Sequence, residues 1–500
     1  MKGSAEFYSL WEENKGKRPL LLIGDPDGDG LLSLKLMCEF CDMQGLDYIY
    51  YVNDNREHGF KLDCSKYQGY LILSADFTIT QAEVESIIQH DIILLSTDHH
   101  QCQDTFIHCK NIGEGIVINN QYPFEPVEDK YLSGAGVFYE LVCSLYPEFK
   151  SNEREAMVGI TLLTDIREIE NNKAKAYLKK TYSSDPQEGY ANYLIESTMD
   201  SSSYTFGYPR LDRNFIDYTL SPFINSLLRF NKTDEAVEFV LGKSPARSNT
   251  RGLQKELISE INEKCFVLDL PSVAIIAVNA LDYTQYGVSL TNFIGLFCSD
   301  YKDRHSGKST LGFVWDNGRV SRASFRGKYD DVQYLTGFKN MGIKADGHAN
   351  AFGLIDLMPN DDLWVDINDL VTDLEADHVP TYHIIETSNL ALTLTQKGIN
   401  IATENCYVRD MYRTFIKYTG VAPRINRQTY KVVEDDVNYD FISQGKGYRY
   451  LVDDKGNKLS KYIEYSVNGR VVKSFGVSIE DGVIMPILEK GYIQLYIKKL

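Results

Sequence analysis

The stretch PLLLIGDPDGDG (residues 19–30) decides how the chain is read. Its first half, Pro19 to Gly24, is an apolar run of strand length. Its second half sets Asp25, Asp27 and Asp29 at alternate positions among glycines, and Leu31–Met43 follows with Leu, Met and Phe at helical spacing. A buried strand ending in a carboxylate-rich turn that feeds a helix is the opening unit of a parallel α/β sheet. Working outward, strand-like runs recur at Leu46–Val52, Tyr70–Ser74, Ile92–Ser96 and Ile116–Asn119. Sheets of this type hold their ligands at the carboxyl ends of the strands. The polar clusters fall at those ends: after Ile23, after Ala75 and after Ser96.

Three carboxylates at alternate positions in a turn can converge on a hard cation, and the intervening glycines let backbone and ion approach closely. The same pattern, D-x-D-x-D-G, opens an EF-hand calcium loop. That loop needs a Glu at its twelfth position, which counted from Asp25 is Leu36, and here the flank is a strand. The calcium loop is rejected. Asp76 follows the run Leu71–Ala75, and Thr97-Asp98-His99-His100 follows the next strand. An Asp before two His offers an imidazole ligand, a second imidazole for substrate and a carboxylate able to orient a ring. Asp165, in Leu162-Leu163-Thr164-Asp165-Ile166, adds a carboxylate from the helical region. Any one of these residues alone is commonly a turn former or a helix cap. Three strand ends bearing metal-compatible side chains in one α/β region are hard to explain by turn chemistry. Mixed Asp/His ligation suits Mn²⁺ or Mg²⁺, with the imidazoles favouring Mn²⁺. Two such ions about 3.5–4 Å apart clamp the attacking and leaving oxygens in phosphoester hydrolysis. Two other patterns carry no chemistry. Cys38-Glu-Phe-Cys41 lies on an apolar helix face without a second pair at zinc spacing. Gly134-Ala-Gly136 lacks the third glycine and ribose-binding acid of a dinucleotide site.

The order Asp25-x-Asp27-x-Asp29-Gly30-x-x-Ser33, Asp76, Asp98-His99-His100, Asp165 resembles the DHH phosphoesterase superfamily, and within it the RecJ-like single-strand exonucleases. Further segments carry the same resemblance. They are Arg56-Glu-His-Gly59-Phe60; Asp76-Phe-Thr-Ile, with Thr78 in place of a glycine; Leu132-Ser-Gly-Ala-Gly-Val137; and Pro222-x-x-Asn225-x-x-x-Arg229. Ser324-Phe-Arg326-Gly and Gly347-His348-Ala-Asn-Ala-Phe-Gly353 resemble the signatures of the DHH-associated domain, with Asp346 where a Gly-Gly-His is usual. The resemblance covers about residues 19 to 358. Residues 361–500 match nothing in that pattern, which suits a divergent member of phage or prophage type.

The chain is read as α/β in four parts: the resemblance implies a parallel-sheet DHH catalytic domain with a helical insertion (1–245), a linker helix (246–265) and a smaller α/β DHH-associated substrate-binding domain (266–360), and composition adds a C-terminal region, helical and then β-rich (361–500). It implies two divalent cations, Mn²⁺ preferred and Mg²⁺ accepted, held by Asp27, Asp29, Asp76, His99 and Asp165, with Asp76 bridging and Asp25 an additional or outer carboxylate. Asp98 would orient the histidine pair and His100 would contact the scissile phosphate. Arg326 and His348, with Ser324 and Gly347, would grip the phosphate or sugar end of the strand. Arg56, Asn225 and Arg229 are expected to line the strand's path or to serve as salt-bridged structural residues. The implied activity is a 5′-to-3′ exonuclease on single-stranded DNA that releases mononucleotides. Its competitors are a short-oligonucleotide (short RNA) or cyclic-dinucleotide phosphodiesterase, an inorganic pyrophosphatase, and a catalytically silent replication scaffold of the same fold. Partners in repair, replication or recombination, such as single-strand-binding proteins, go with the first reading, as does a monomer.

Composition sets the outer limits. The chain has 500 residues, 43% hydrophobic and 24% charged, with a net charge of −18. That suits a soluble multidomain protein rather than a disordered one. No apolar run approaches the ~18 residues of a membrane span, the start lacks a signal peptide's apolar stretch, and nine scattered cysteines suit reduced thiols, so a cytoplasmic protein without a membrane partner is expected. Glu153 to about Lys243 reads mostly helical, Asn249–Lys264 reads as a polar helix, and Pro271–Val278 starts a second strand-bearing region. An acidic helical stretch begins at Asp361, and Gly-punctuated strands are expected from Tyr448. Ser443–Leu500 carries ten Lys/Arg against six Asp/Glu and seven aromatics. Basic and aromatic residues alternating on a sheet suit single-strand stacking, as in OB-type folds, and equally suit a lid packed on the core. The acidity therefore lies away from this segment and does not exclude a nucleic-acid substrate.

Overall fold

The computed structural model describes residues 1–54, 59–79, 81–100, 115–165, 171–198, 211, 215–304, 308–316, 319–329, 332–355, 357–376 and 378; beyond these it describes the backbone of strand segments between 383 and 499. Helix α1 (Ser4–Asn14) buries Phe7 and Trp11, the latter against Phe40 with ring centroids 5.1 Å apart. It is followed by β1 (Leu20–Gly24), in which every residue is buried. The reason is two-sided covering. Leu20 and Leu22 enter one core with helix α2 (Gly28–Met43), while Leu21 and Ile23 enter another on the opposite face. A strand wrapped on both faces reads as an uninterrupted apolar run, as this one does.

The same pattern builds β3 (Leu71–Ala75), β4 (Ile93–Asp98) and β5 (Ile116–Asn119), with α3 (Gln81–Gln89) between β3 and β4, while β2 (Ile49–Val52) is an edge strand exposed at Ile49 and Tyr50. The five strands are all parallel in the order β2-β1-β3-β4-β5. The chain leaves β1 towards one edge and leaves β3 towards the other. This switch of direction opens a crevice at the carboxyl ends of β1 and β3. Helices α4 (Gly134–Leu145), α5 (Asn152–Thr164), α6 (Asn172–Ser183) and α7 (Gly189–Thr198) thicken the α2 side of the sheet. A π-turn at Ile216–Leu220 leads into α8 (Ser221–Arg229) and α9 (Thr233–Val240).

The polar helix read from the sequence is α10 (Thr250–Lys264), capped by Asn249, whose side chain accepts a hydrogen bond from the Gly252 N–H. A second sheet of six strands follows: β6 (Phe266–Asp269), β7 (Val273–Asn279), β8 (Ser309–Asp316), β9 (Arg319–Arg326), β10 (Ala345–His348) and β11 (Ala351–Leu354). Their order is β10-β11-β9-β8-β7-β6, with β7 and β8 parallel and the other pairs antiparallel. Helix α11 (Ile294–Arg304) enters the core on one side of this sheet, and α12 (Tyr334–Asn340) and α13 (Asp361–Ala376) enter the core on the other. Trp364 of α13 stacks on Phe313, so this core continues past residue 360. Strands then begin at His383, earlier than the Tyr448 expected from the sequence. The segments His383–Thr387, Thr414–Tyr418, Arg424–Asn426, Lys431–Glu434 and Val437–Phe441 are too short and too widely spaced by polar residues to show period-two alternation. Later strands join them in a four-stranded and a five-stranded sheet, and Leu451–Val452 pairs with Lys458–Ser460 in a two-stranded one.

The turn after β1 is closed tightly enough to test. A Cβ on Gly30 would lie 2.4 Å from the Asp25 carbonyl oxygen, which only a backbone shift could relieve. Gly30→Ala is expected to lower folding stability by about 1–3 kcal/mol, measured by denaturant or thermal unfolding.

Candidate metal centre

Each carboxylate of the turn is fixed by a different piece of backbone. Asp25, 4% exposed, accepts a hydrogen bond from the Gly59 N–H at 3.2 Å, and Asn53 holds that segment by donating to the Gly59 carbonyl at 2.7 Å. Asp27 is the N-cap of α2 and accepts from the Gly30 N–H at 2.9 Å. Asp29 reaches across to the start of α4, where its carboxylate accepts from Gly134 N–H at 2.7 Å and Ala135 N–H at 3.2 Å. A helix N-terminus presents such free N–H groups and favours an anion.

Asp76, at the end of β3, adopts the left-handed backbone conformation with φ +71°, while its N–H still bonds the Thr97 carbonyl at 2.9 Å. For a non-glycine residue that conformation costs of order 1–3 kcal/mol, and the neighbouring strands hold it in place. Its carboxylate meets His99 Nε2 at 2.8 Å. Gly134 is required opposite, since a Cβ there would stand 2.6 Å from the Asp76 Cβ. His99 also lies 3.8 Å from Asp29 Oδ2 through Nε2 and 3.6 Å from Asp165 Oδ2 through Nδ1. Asp165 arrives as the C-cap of α5. Asp98 accepts at Oδ1 from the N–H groups of His99 (2.8 Å) and His100 (3.2 Å), and its Oδ1 lies 2.8 Å from His100 Nδ1. The His99 ring is buried, and the His100 ring is half-exposed.

The eight residues Asp25, Asp27, Asp29, Asp76, Asp98, His99, His100 and Asp165 are thus brought together. Their ligand atoms form three overlapping triads, each within 4.8 Å: Asp76–His99–His100, Asp29–His99–Asp165 and Asp25–Asp27–Asp76. Burial, reinforced by Asp165 and Asp27, pushes the Asp29 carboxyl well above the usual carboxylate range. Burial, reinforced by Asp29, Asp27, Asp25 and Asp165, does the same to Asp76. Burial works against charge on His100, but Asp98, its hydrogen-bond partner, and the more distant Asp165 and Asp25 outweigh it and raise the imidazole to about 10. No lysine or arginine is paired with Asp27, Asp29 or Asp76 among the described residues. Crowded, desolvated carboxylates of this kind fit a divalent cation, which removes the repulsion that burial amplifies.

The remaining expected residues lie elsewhere. Ser324 and Arg326 are on β9, where Arg326 Nη1 donates to the Ser324 hydroxyl at 2.8 Å and Nε to Ser299 Oγ at 3.2 Å. Gly347 and His348 are on β10, and Ala351 pairs with both His348 and Arg326, so one ladder row links the two signatures. Asn225 donates to Ser221 Oγ at 3.3 Å, and Arg229 donates to the Asn292 carbonyl at 3.1 Å and to Gln254 at 3.3 Å, which ties α8 to α10 and to the segment before α11. Arg56 lies outside the described residues, as does the side chain of His348. Cys38 and Cys41 are buried core residues with thiols raised by burial. Sequence reasoning missed Asn119, at the end of β5. The rule that singled out the other strand ends applies to it equally.

Comparison with known proteins bears on the family and the fold. Residues 19–165 match the family model for the DHH family, N-terminal domain. YorK of Bacillus subtilis (strain 168), named provisionally as an SPbeta prophage-derived single-strand DNA-specific exonuclease, is 22% identical over 259 residues, 49% of this chain and 42% of YorK. The match therefore spans about two-fifths of that relative. Among solved structures, RecJ of Thermus thermophilus in complex with Mn²⁺ is 14% identical with a TM-score of 0.65, over 100% of this chain and 71% of that one. The same protein in complex with Mg²⁺ gives 14% identity and a TM-score of 0.58, over 100% and 70%. Residues 19–165 are thus DHH-like in sequence, and the chain is RecJ-like in fold, as its motifs imply. No described helix is long and apolar enough to cross a membrane.

Cation binding is measurable without any substrate. Mn²⁺ at about a hundred times its dissociation constant is expected to stabilise the protein by about 2.7 kcal/mol in thermal unfolding, and Asp76→Ala to remove most of that gain.

Proposed function

We propose that this chain is a metal-dependent phosphodiesterase acting as a 5′-to-3′ exonuclease on single-stranded DNA, with two divalent cations, Mn²⁺ preferred and Mg²⁺ accepted. One observation carries the reading: three donor triads, overlapping at either Asp76 or His99, lie at the switch point of a parallel sheet. Shared donors of this kind suit two divalent ions, which Asp25, Asp27, Asp29, Asp76, His99 and Asp165 would hold. When bound, such ions supply Lewis-acid chemistry, withdrawing charge from phosphoryl oxygens and stabilising it on the attacking and leaving oxygens. The protein supplies the rest. Asp98 holds the His100 ring at Nδ1 and leaves its other nitrogen to donate to a phosphate oxygen at the half-exposed mouth of the site. Arg326, oriented by Ser324 and Ser299, is a fixed guanidinium for a second contact to the strand, together with Gly347 and His348.

The names of the relatives support single-stranded DNA as substrate, and the Mn²⁺ and Mg²⁺ complexes of the Thermus protein support the choice of ions. Digestion of end-labelled single-stranded DNA, RNA and dinucleotides with Mn²⁺ or EDTA tests the proposal. Mononucleotides released early from the 5′ end of DNA, and only with metal, are expected; cleavage confined to dinucleotides would move the assignment to a short-substrate phosphodiesterase. Asp76→Ala and His99→Ala are each expected to reduce turnover by about three orders of magnitude, equivalent to about 4 kcal/mol of transition-state stabilisation. Removing Ser443–Leu500, with unfolding curves to verify the remaining fold, is expected to weaken single-strand binding; unchanged affinity would assign that region a packing role.

A further inference from the structure

Asn119 ends β5 directly beside Asp98, its register partner in the parallel ladder, and both are 3% exposed. Its amide is used completely. Oδ1 accepts the Gln121 N–H at 2.7 Å, which fixes which end of the amide faces which way. Nδ2 therefore points at the site, donating to Asp98 Oδ2 at 3.0 Å and to the His100 carbonyl at 3.0 Å. Asp98 Oδ1 is meanwhile occupied by the two histidine N–H groups and by the His100 ring nitrogen. The two Nδ2 hydrogens thus hold both the carboxylate that orients the His100 ring and the backbone from which that ring projects.

We infer that Asn119 is a positioning residue for His100, acting through Asp98 and the residue-100 carbonyl without touching metal or substrate. The inference rests on the phosphodiesterase reading for its effect on turnover. Its geometric content stands independently. Asn119→Asp keeps the shape but replaces Nδ2 and its two N–H donors by one oxygen that faces both a carboxylate and a carbonyl. The variant is expected to lose about 10- to 100-fold in kcat, with KM and the thermal stabilisation by Mn²⁺ retained. Because the effect runs through His100, Asn119→Asp is expected to add nothing to His100→Ala, which a double-mutant cycle reads directly.

A merely structural role would lower thermal stability while leaving kcat per folded molecule intact, and would multiply fully with His100→Ala. Either result overturns the inference. Chemical shifts of ¹⁵N-labelled histidine rings separate it from the reading on which it rests. A displaced His100 Nδ1 signal in Asn119→Asp, in a protein that hydrolyses no phosphodiester, would retain the positioning role and remove the proposed function. An unmoved signal in an active enzyme would do the reverse.

Discussion

Mutual repulsion of buried carboxylates is the constraint on which the site depends. Asp29 and Asp76 are both nearly inaccessible to water, both feel Asp27 and Asp165, and Asp76 feels Asp29 as well. Placing an ionised carboxylate in such surroundings costs several kcal/mol unless something compensates. The fold compensates in part with oriented dipoles: the first N–H groups of α4 for Asp29, the first turn of α2 for Asp27 and the Gly59 N–H for Asp25. What these donors leave uncompensated is the site's affinity for positive charge.

That electrostatic arrangement demands close backbone approaches, and these explain local oddities that packing alone would not produce. Asp76 is bent into the left-handed region so that its carboxylate turns back toward His99. The first residue of α4 must lack a side chain to clear it, and the turn after β1 folds so sharply that residue 30 touches residue 25. The sheet makes these contortions affordable. β1, β3 and β4 are buried on both faces, and their stability is drawn from two separate cores. Strain at the strand ends is therefore held by well-packed strand bodies.

Much of this was legible in the residues. PLLLIG reads as a central strand because both faces are covered, and the Asp and His clusters stand out because three strand ends carry them together. What periodicity cannot convey is backbone shape. Nothing in Ala75-Asp76-Phe77 announces a positive φ, since the usual marker of one is glycine. Asn119 escaped notice because a lone Asn after a strand is ordinary turn chemistry, and its importance comes from sheet register with Asp98. Arg229 reads from its motif as either a strand-path residue or a structural one, and in the structure its guanidinium joins α8 to α10 and to Asn292. The short strands after His383 lack the alternation that would reveal them.

The capture of Asp29 by main-chain N–H groups of α4 has a wider consequence. A carboxylate fastened by peptide groups asks nothing of the side chains that flank it, apart from the missing one at position 134. Substitutions can therefore accumulate along α4, and in the shell around it, without moving the carboxylate. A centre built this way tolerates extensive sequence drift, and its shape can outlast nearly every amino acid that surrounds it.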